Sequence, residues 1–347
     1  MSWHPLPLGM ASALLADETL QAMFAPKAEL AAMLQVEHAL AQAQAGTGEI
    51  GAAALSAITA ACHDPALDHG ALAKGMRRDG VVVPELTRQM RALLGPDHAA
   101  SFHRGATSQD IIDTALMLRL KQVCTVLGAR LGSILEDLGD LASQHGGQTI
   151  MARTRFQNAL PFTLADKVQT WALPLRDLAN QTPSYFPLQL GGPIGMPAST
   201  FGANHQTIAQ AMAEALGLSA PAQPWHTDRR ALGNIAHWCQ QLATALGKIG
   251  ADVMIMVQNP IAELRLTGGV SSAMPHKNNP VAAEALVTLA RYVTAQTALL
   301  QSASLHENER SGVAWSLEWL ALPAAIIGTG AASLTAIELI SNLRLAA

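Results

Sequence analysis

Residues 267–280, TGGVSSAMPHKNNP, gather hydroxyls, an imidazole, a cation and two amides in a chain that is 50% hydrophobic. Gly268 and Gly269 free the backbone ahead of the paired hydroxyls of Ser271 and Ser272, while Pro275 and Pro280 interrupt any ordinary helix. Met274, His276, Lys277, Asn278 and Asn279 complete the stretch. A hydroxyl can carry a proton to or from carbon, and a lysine with amides can hold the anion that results. The stretch therefore reads as a mobile catalytic loop, with a polar connector between two helices as the alternative.

Two other clusters carry compatible chemistry. Residues 103–110, HRGATSQD, stand immediately before a long helical pattern, so Thr107 or Ser108 is a natural N-cap and the unpaired N–H groups of the first turn make an anion site. A plain cap accounts for one hydroxyl and for Asp110, but not for His103, Arg104 and Gln109 beside them. Residues 152–159, ARTRFQNA, place Arg153 and Arg155 two apart in a chain only 14% charged, ahead of a helix expected from near Pro161. Guanidinium forks pair with carboxylates in bidentate fashion, which suggests carboxylate binding against the alternative of surface arginines. Gly191, Gly192, Pro193 and Gly195 form a tight glycine turn, and PWHTD at 224–228 leads into another helical pattern.

The elements that must position these residues are helices. The apolar content is mostly Ala and Leu with 4% aromatic residues, a composition that favours an all-α fold. Leu116, Leu120, Val123, Leu127, Leu131, Ile134, Leu138 and Leu141 repeat at fours and threes, and Ile235, Cys239, Leu242, Leu246, Ile249, Val253 and Met256 do so without interruption. Two seams of that length demand long helices in a bundle, shared between subunits. Residues 1–100 read as a small N-terminal helical domain, with an amphipathic helix from Lys27 to Gln44, and 101–347 as the long-helix bundle that carries the three clusters. Residues 319–337 lack charge, yet Pro323, Gly328, Gly330 and flanking Glu318 and Glu338 suit a helix buried within the bundle better than a membrane span.

A net charge of −4 without runs of like sign argues against a nucleic-acid partner. Cys62, Cys124 and Cys239 show no metal or disulfide spacing, and the N-terminus lacks a signal-peptide pattern, so a cytoplasmic, reducing compartment is expected.

Together these segments resemble the fumarase, aspartase and adenylosuccinate lyase superfamily, whose three active-site regions match HRGATSQD, ARTRFQNA and SSAMPHKNNP in order. LQLGGPIG at 188–195, PAQPWHTDR at 221–229 and ERSGVAWSLEWLALP at 309–323 are similar to its cycloisomerase branch. The resemblance implies an all-α fold with a long central bundle and a small N-terminal helical domain. It also implies a homotetramer with sites shared between subunits, a small tricarboxylate as substrate, and no cofactor or metal. The reaction it implies is lactonisation of 3-carboxy-cis,cis-muconate to 4-carboxymuconolactone, a step of protocatechuate breakdown in the β-ketoadipate pathway. By the same resemblance Ser271 is the acid, with Ser272 as its competitor for that role, and Lys277 and Asn279 hold the enolate-like intermediate. His103, Arg104, Thr107, Ser108, Gln109, Arg155, Gln157, Met274, His276 and Arg310 bind substrate.

Two departures qualify the resemblance. Superfamily lyases that expel an amine or alcohol commonly carry a histidine at the place of Arg155. A carboxylate, with a reference pKa near ~4, reacts as the anion and needs no such proton donor, which favours a lactonising enzyme. Relatives also continue into a further small helical domain, whereas this chain stops at Ala347, so a truncated C-terminal domain is expected. The alternatives are a superfamily lyase releasing fumarate and a non-catalytic helical scaffold.

Overall fold

The computed structural model describes residues 9–267, 269, 274 and 277–345, with the side chains of 198 and 199 left aside. Its helices are α1 (Ser12–Leu15), α2 (Glu18–Met23), α3 (Pro26–Gly46), α4 (Ala52–His63), α5 (His69–Asp79), α6 (Val83–His98) and α7 (Ser108–His145). A hairpin follows, β1 (Thr149–Thr154) and β2 (Gln157–Thr163), then α8 (Leu164–Asn180), α9 (Ala198–Phe201), α10 (His205–Leu216) and α11 (Arg230–Met256). The chain closes with β3 (Leu264–Leu266), α12 (Val281–Ser302), α13 (Gly312–Ser341) and β4 (Leu343–Leu345), the last pairing antiparallel with β3.

Both expected seams are buried along their whole length, from Leu116 to Leu141 on α7 and from Ile235 to Met256 on α11. They meet α12, α13 and α8 in one apolar core. At 1.5 Å per residue the 38 residues of α7 span roughly 57 Å, which sets the length of the bundle. Close approach within it depends on small residues: a methyl group at Gly247 would lie 2.6 Å from Ala290 Cβ. α13 is long and apolar enough to cross a membrane, but most of that stretch is buried among the other helices.

A second core joins α3, α4 and α6 to the first turns of α7 and to Leu188, Leu190, Ile208 and Met212. It clamps the segment ahead of α7 against the bundle. One element differs from expectation. ARTRFQNA lies on the β1–β2 hairpin, paired from Thr149↔Thr163 to Thr154↔Gln157, and the next helix starts at Leu164 behind a Thr163–Asp166 capping box.

Candidate active site

Thr107 is the N-cap of α7, in extended conformation, and forms a capping box with Asp110 at the third helical position. The segment ahead of it is pinned by neighbouring helices: Gln44 Nε2 donates to the Arg104 carbonyl at 2.8 Å and Arg91 to that of Phe102 at 3.0 Å. His103, at φ +57°, turns its Nδ1 inward to Glu37, 2.6 Å away. Burial opposes protonation of that imidazole, but the Glu37 carboxylate outweighs it and raises the His103 pKa.

Asp110 is the hub of this end. Its Oδ1 accepts the Gly191 N–H at 2.7 Å and faces His226 Nε2 at 3.1 Å. Its Oδ2 accepts the N–H groups of Gly192 and Thr107, both at 3.0 Å. One carboxylate thus binds the glycine turn to the helix start. Arg310 bridges the same two pieces, its guanidinium donating to Thr107 Oγ1 and the Pro193 carbonyl, each at 3.0 Å. Its Nε is buried with no partner among the described residues, an unpaired charged donor at this end of α7. Ser108, half-buried, opens the helix beside it.

One turn further in lies an ionic cluster that sequence reasoning missed. Arg229 donates to both oxygens of Asp113 at 2.6 and 3.0 Å and to both of Glu318 at 2.7 and 2.6 Å, with its guanidinium 4.9 Å from the Trp225 ring centre. Burial opposes its charge, yet the two carboxylates hold the guanidinium above its ordinary value. Trp315 Nε1 and Gln109 Nε2 also donate to Asp113, and His306 Nε2 reaches Glu318 Oε1 at 3.3 Å. Gln109 is fully buried, and its amide also donates to the His226 carbonyl at 2.8 Å. It stands on the inner face of α7, away from solvent within this chain.

The arginine cluster lies beyond the other end of α7. Arg153 is consumed by Glu263, in two bonds of 2.8 Å, and Glu263 also accepts the Met151 N–H at 3.0 Å. Burial raises the Glu263 carboxyl, but those donors, Arg153 foremost, win and hold it below its usual value. Arg155 and Phe156 form the two-residue tip, at φ +49° and +63°, closed by the Thr154↔Gln157 pair. Two left-handed residues are what such a turn needs, yet neither is Gly, Asn or Asp, so the tip is held in a costly conformation. Both side chains are exposed, Phe156 by 83%, and Gln157 beside them is exposed as well.

Glu263 leads to β3 and thence to the loop, whose neck is closed by Asn279 N donating to the Gly269 carbonyl at 2.8 Å. Gly269, at φ +70°, is obligatory there, since a methyl group would meet the Asn279 carbonyl at 2.0 Å. Lys277 is exposed, its N–H bonded to the Met274 carbonyl at 3.0 Å. Ser271, Ser272 and His276 lie outside the described residues. Burial pushes the Cys62 and Cys124 thiols up to about 12, which leaves them poor nucleophiles.

The candidate residues thus fall into two groups. Thr107, Ser108 and Arg310, with His103 and Arg104 nearby, gather at the start of α7. Arg155 and Gln157 sit on the hairpin past its end, and Lys277 and Asn279 follow β3 from Glu263, which pairs with Arg153 of that hairpin; α7 between the two groups is roughly 57 Å long.

A family model described as lyase matches residues 12–295. The chain belongs to that lyase family. A 3-carboxy-cis,cis-muconate cycloisomerase of Bradyrhizobium diazoefficiens is 34% identical over 341 residues, 95% of this chain and 75% of the relative. A nitrosuccinate lyase of Streptomyces davaonensis is 34% identical over 352 residues, 96% of this chain and 74% of the relative. Among solved structures, β-carboxy-cis,cis-muconate cycloisomerase of Acinetobacter calcoaceticus superposes with a TM-score of 0.90 at 29% identity, covering 97% of this chain and 78% of that one. The helical fold expected from the fumarase and aspartase resemblance is the fold of this lyase-family member.

Proposed function

We propose that the chain is a cycloisomerase that lactonises 3-carboxy-cis,cis-muconate to 4-carboxymuconolactone. The observation that carries this is the match to muconate cycloisomerases in sequence and structure along nearly the whole chain. In the reaction a substrate carboxylate oxygen attacks the distal double bond, forming the ring C–O bond. The electron pair moves to the neighbouring carbon and into its carboxylate as an enolate-like anion, and a proton is then delivered to that carbon.

In this reading Ser271 delivers the proton, with Ser272 as its alternate, and Lys277 and Asn279 neutralise the carboxylate that takes up charge. Thr107, Ser108 and Arg310 hold a second carboxylate at the start of α7, where free N–H groups and the helix dipole favour an anion. Arg155 holds the third, with Gln157 donating beside it and Met274 and His276 lining the loop. A small tricarboxylate cannot bridge roughly 57 Å, so each site takes its cradle from one chain and its hairpin and loop from others. This supports a homotetramer with shared sites. Three free cysteines suit a reducing, cytoplasmic setting.

A second reading, elimination of nitrite from nitrosuccinate, is favoured by the equally similar Streptomyces relative. Nitrite, like a carboxylate, leaves as a weakly basic anion and needs no protonating histidine at position 155. Following the loss of muconate ultraviolet absorbance beside nitrite release decides between them. Nitrite release without muconate turnover reverses the order, and neither activity overturns both.

A further inference from the structure

The glycine turn is fastened firmly at its first half. Asp110 receives the N–H groups of Gly191 and Gly192, and Arg310 grips the Pro193 carbonyl. Beyond Pro193 the turn rises into solvent, with Ile194 55% exposed, and the Gly195 N–H has no partner among the described residues.

His226 lies directly beneath. Its ring is 4% exposed, and a methyl group at Gly191 would touch Cε1 at 2.9 Å, one at Gly195 would touch Nδ1 at 3.3 Å. Only glycines let the turn settle this closely, and Gly195 sits at φ +72°. Asp110 already collects three backbone N–H groups, so it serves as acceptor toward Nε2 as well. With Nε2 donating to Asp110, Nδ1 is the acceptor of that tautomer. That Nδ1 is buried without a partner among the described residues. A buried acceptor next to an unused backbone donor is an arrangement waiting for a small movement.

We infer that His226 is a positioning residue: when a carboxylate docks at the start of α7, the outer half of the glycine turn folds down and the Gly195 N–H donates to His226 Nδ1. The movement closes the turn over Thr107, Ser108 and Arg310, while Asp110 keeps the first half still. It also removes the one unmet hydrogen-bonding atom of the Asp110–His226 pair, so ligand binding and turn closure favour each other. His226 acts through the turn and not on the reacting atoms.

The inference rests on the reading of the helix start as a carboxylate cradle, and the test separates the two. Hydrogen exchange is followed in peptides spanning residues 190–198, with and without saturating propane-1,2,3-tricarboxylate; Pro193 and Pro197 lack amides, so residues 194–196 dominate the outer half of the signal. In the wild-type chain the anion slows exchange at Gly195 about fivefold, the effect of one added hydrogen bond. His226→Gln keeps a donor for Asp110 but has no group at the Nδ1 position; it binds the anion without that slowing, and its KM rises more than its kcat falls. His226→Asn, with an amide oxygen near the Nδ1 position, retains part of the slowing. Equal slowing in wild type and His226→Gln overturns the inference. So does a wild-type chain that binds the anion with no slowing, a result that needs no variant to fold. A wild-type chain that does not bind the anion overturns the cradle and this inference with it.

Discussion

If the two groups of site residues serve different sites, two dead variants should repair one another. Thr107→Val removes the hydroxyl that Arg310 holds at the start of α7, and Lys277→Met removes the loop cation. These positions lie past opposite ends of a helix roughly 57 Å long, far beyond the reach of one small substrate. Each variant alone has every site damaged and should lose about 10²-fold or more in kcat, the scale of one lost electrostatic stabiliser. In a randomly assembled 1:1 mixture, a site draws an intact cradle from half the chains and an intact loop from the other half. Roughly a quarter of the sites are then whole. Coexpressed chains, purified by two different tags, should show about a quarter of wild-type turnover in the muconate absorbance assay with an unchanged KM. Activity no higher than the parents, from heteromers that demonstrably contain both chains, would refute sites shared between subunits.

Other consequences are as direct. Arg155→Gly relieves a left-handed residue at the hairpin tip and should raise stability by about 1 kcal/mol, while KM for the tricarboxylate rises at least tenfold; urea titration and steady-state kinetics read the two effects, and an unchanged KM removes Arg155 from the substrate. Arg229→Leu leaves Asp113 and Glu318 buried without their cation and should cost about 3–5 kcal/mol by denaturant unfolding, against a reasoning that fails if the loss is below 1 kcal/mol. The His103 pKa is raised in the fold, so its contribution is complete below the ordinary value of 6.5 and is lost as pH climbs through the raised one. Tm should therefore fall as pH rises above about 6.5 by more in wild type than in His103→Gln, and parallel curves would exclude the Glu37 link as the cause.

The bundle was legible because its signal is periodic: every residue of the two seams, from Leu116 and from Ile235 onward, is buried as the fours and threes require. The polar clusters were legible because charge is scarce. The hairpin was not, since Arg155 and Phe156 are among the residues least suited to a two-residue turn and the all-α composition outweighed the alternation around them. The inward direction of Gln109 was not legible either, being fixed by Asp113, one helical turn away. The Asp113, Arg229 and Glu318 cluster offered no local pattern, because its members come from three segments that meet only in the folded chain.

That cluster also favours one order of events during folding. Asp113 and Arg229 are 116 residues apart and Arg229 and Glu318 are 89 apart, whereas α11 and α12 pack as neighbours in the chain. Closing such long loops is slow compared with zipping adjacent helices together. The far end of the bundle can therefore consolidate while the start of α7 is still unmade. A chain caught midway would show nearly native helix content while the Asp113–Arg229–Glu318 cluster is still unmade, so circular dichroism would run ahead of the completed fold.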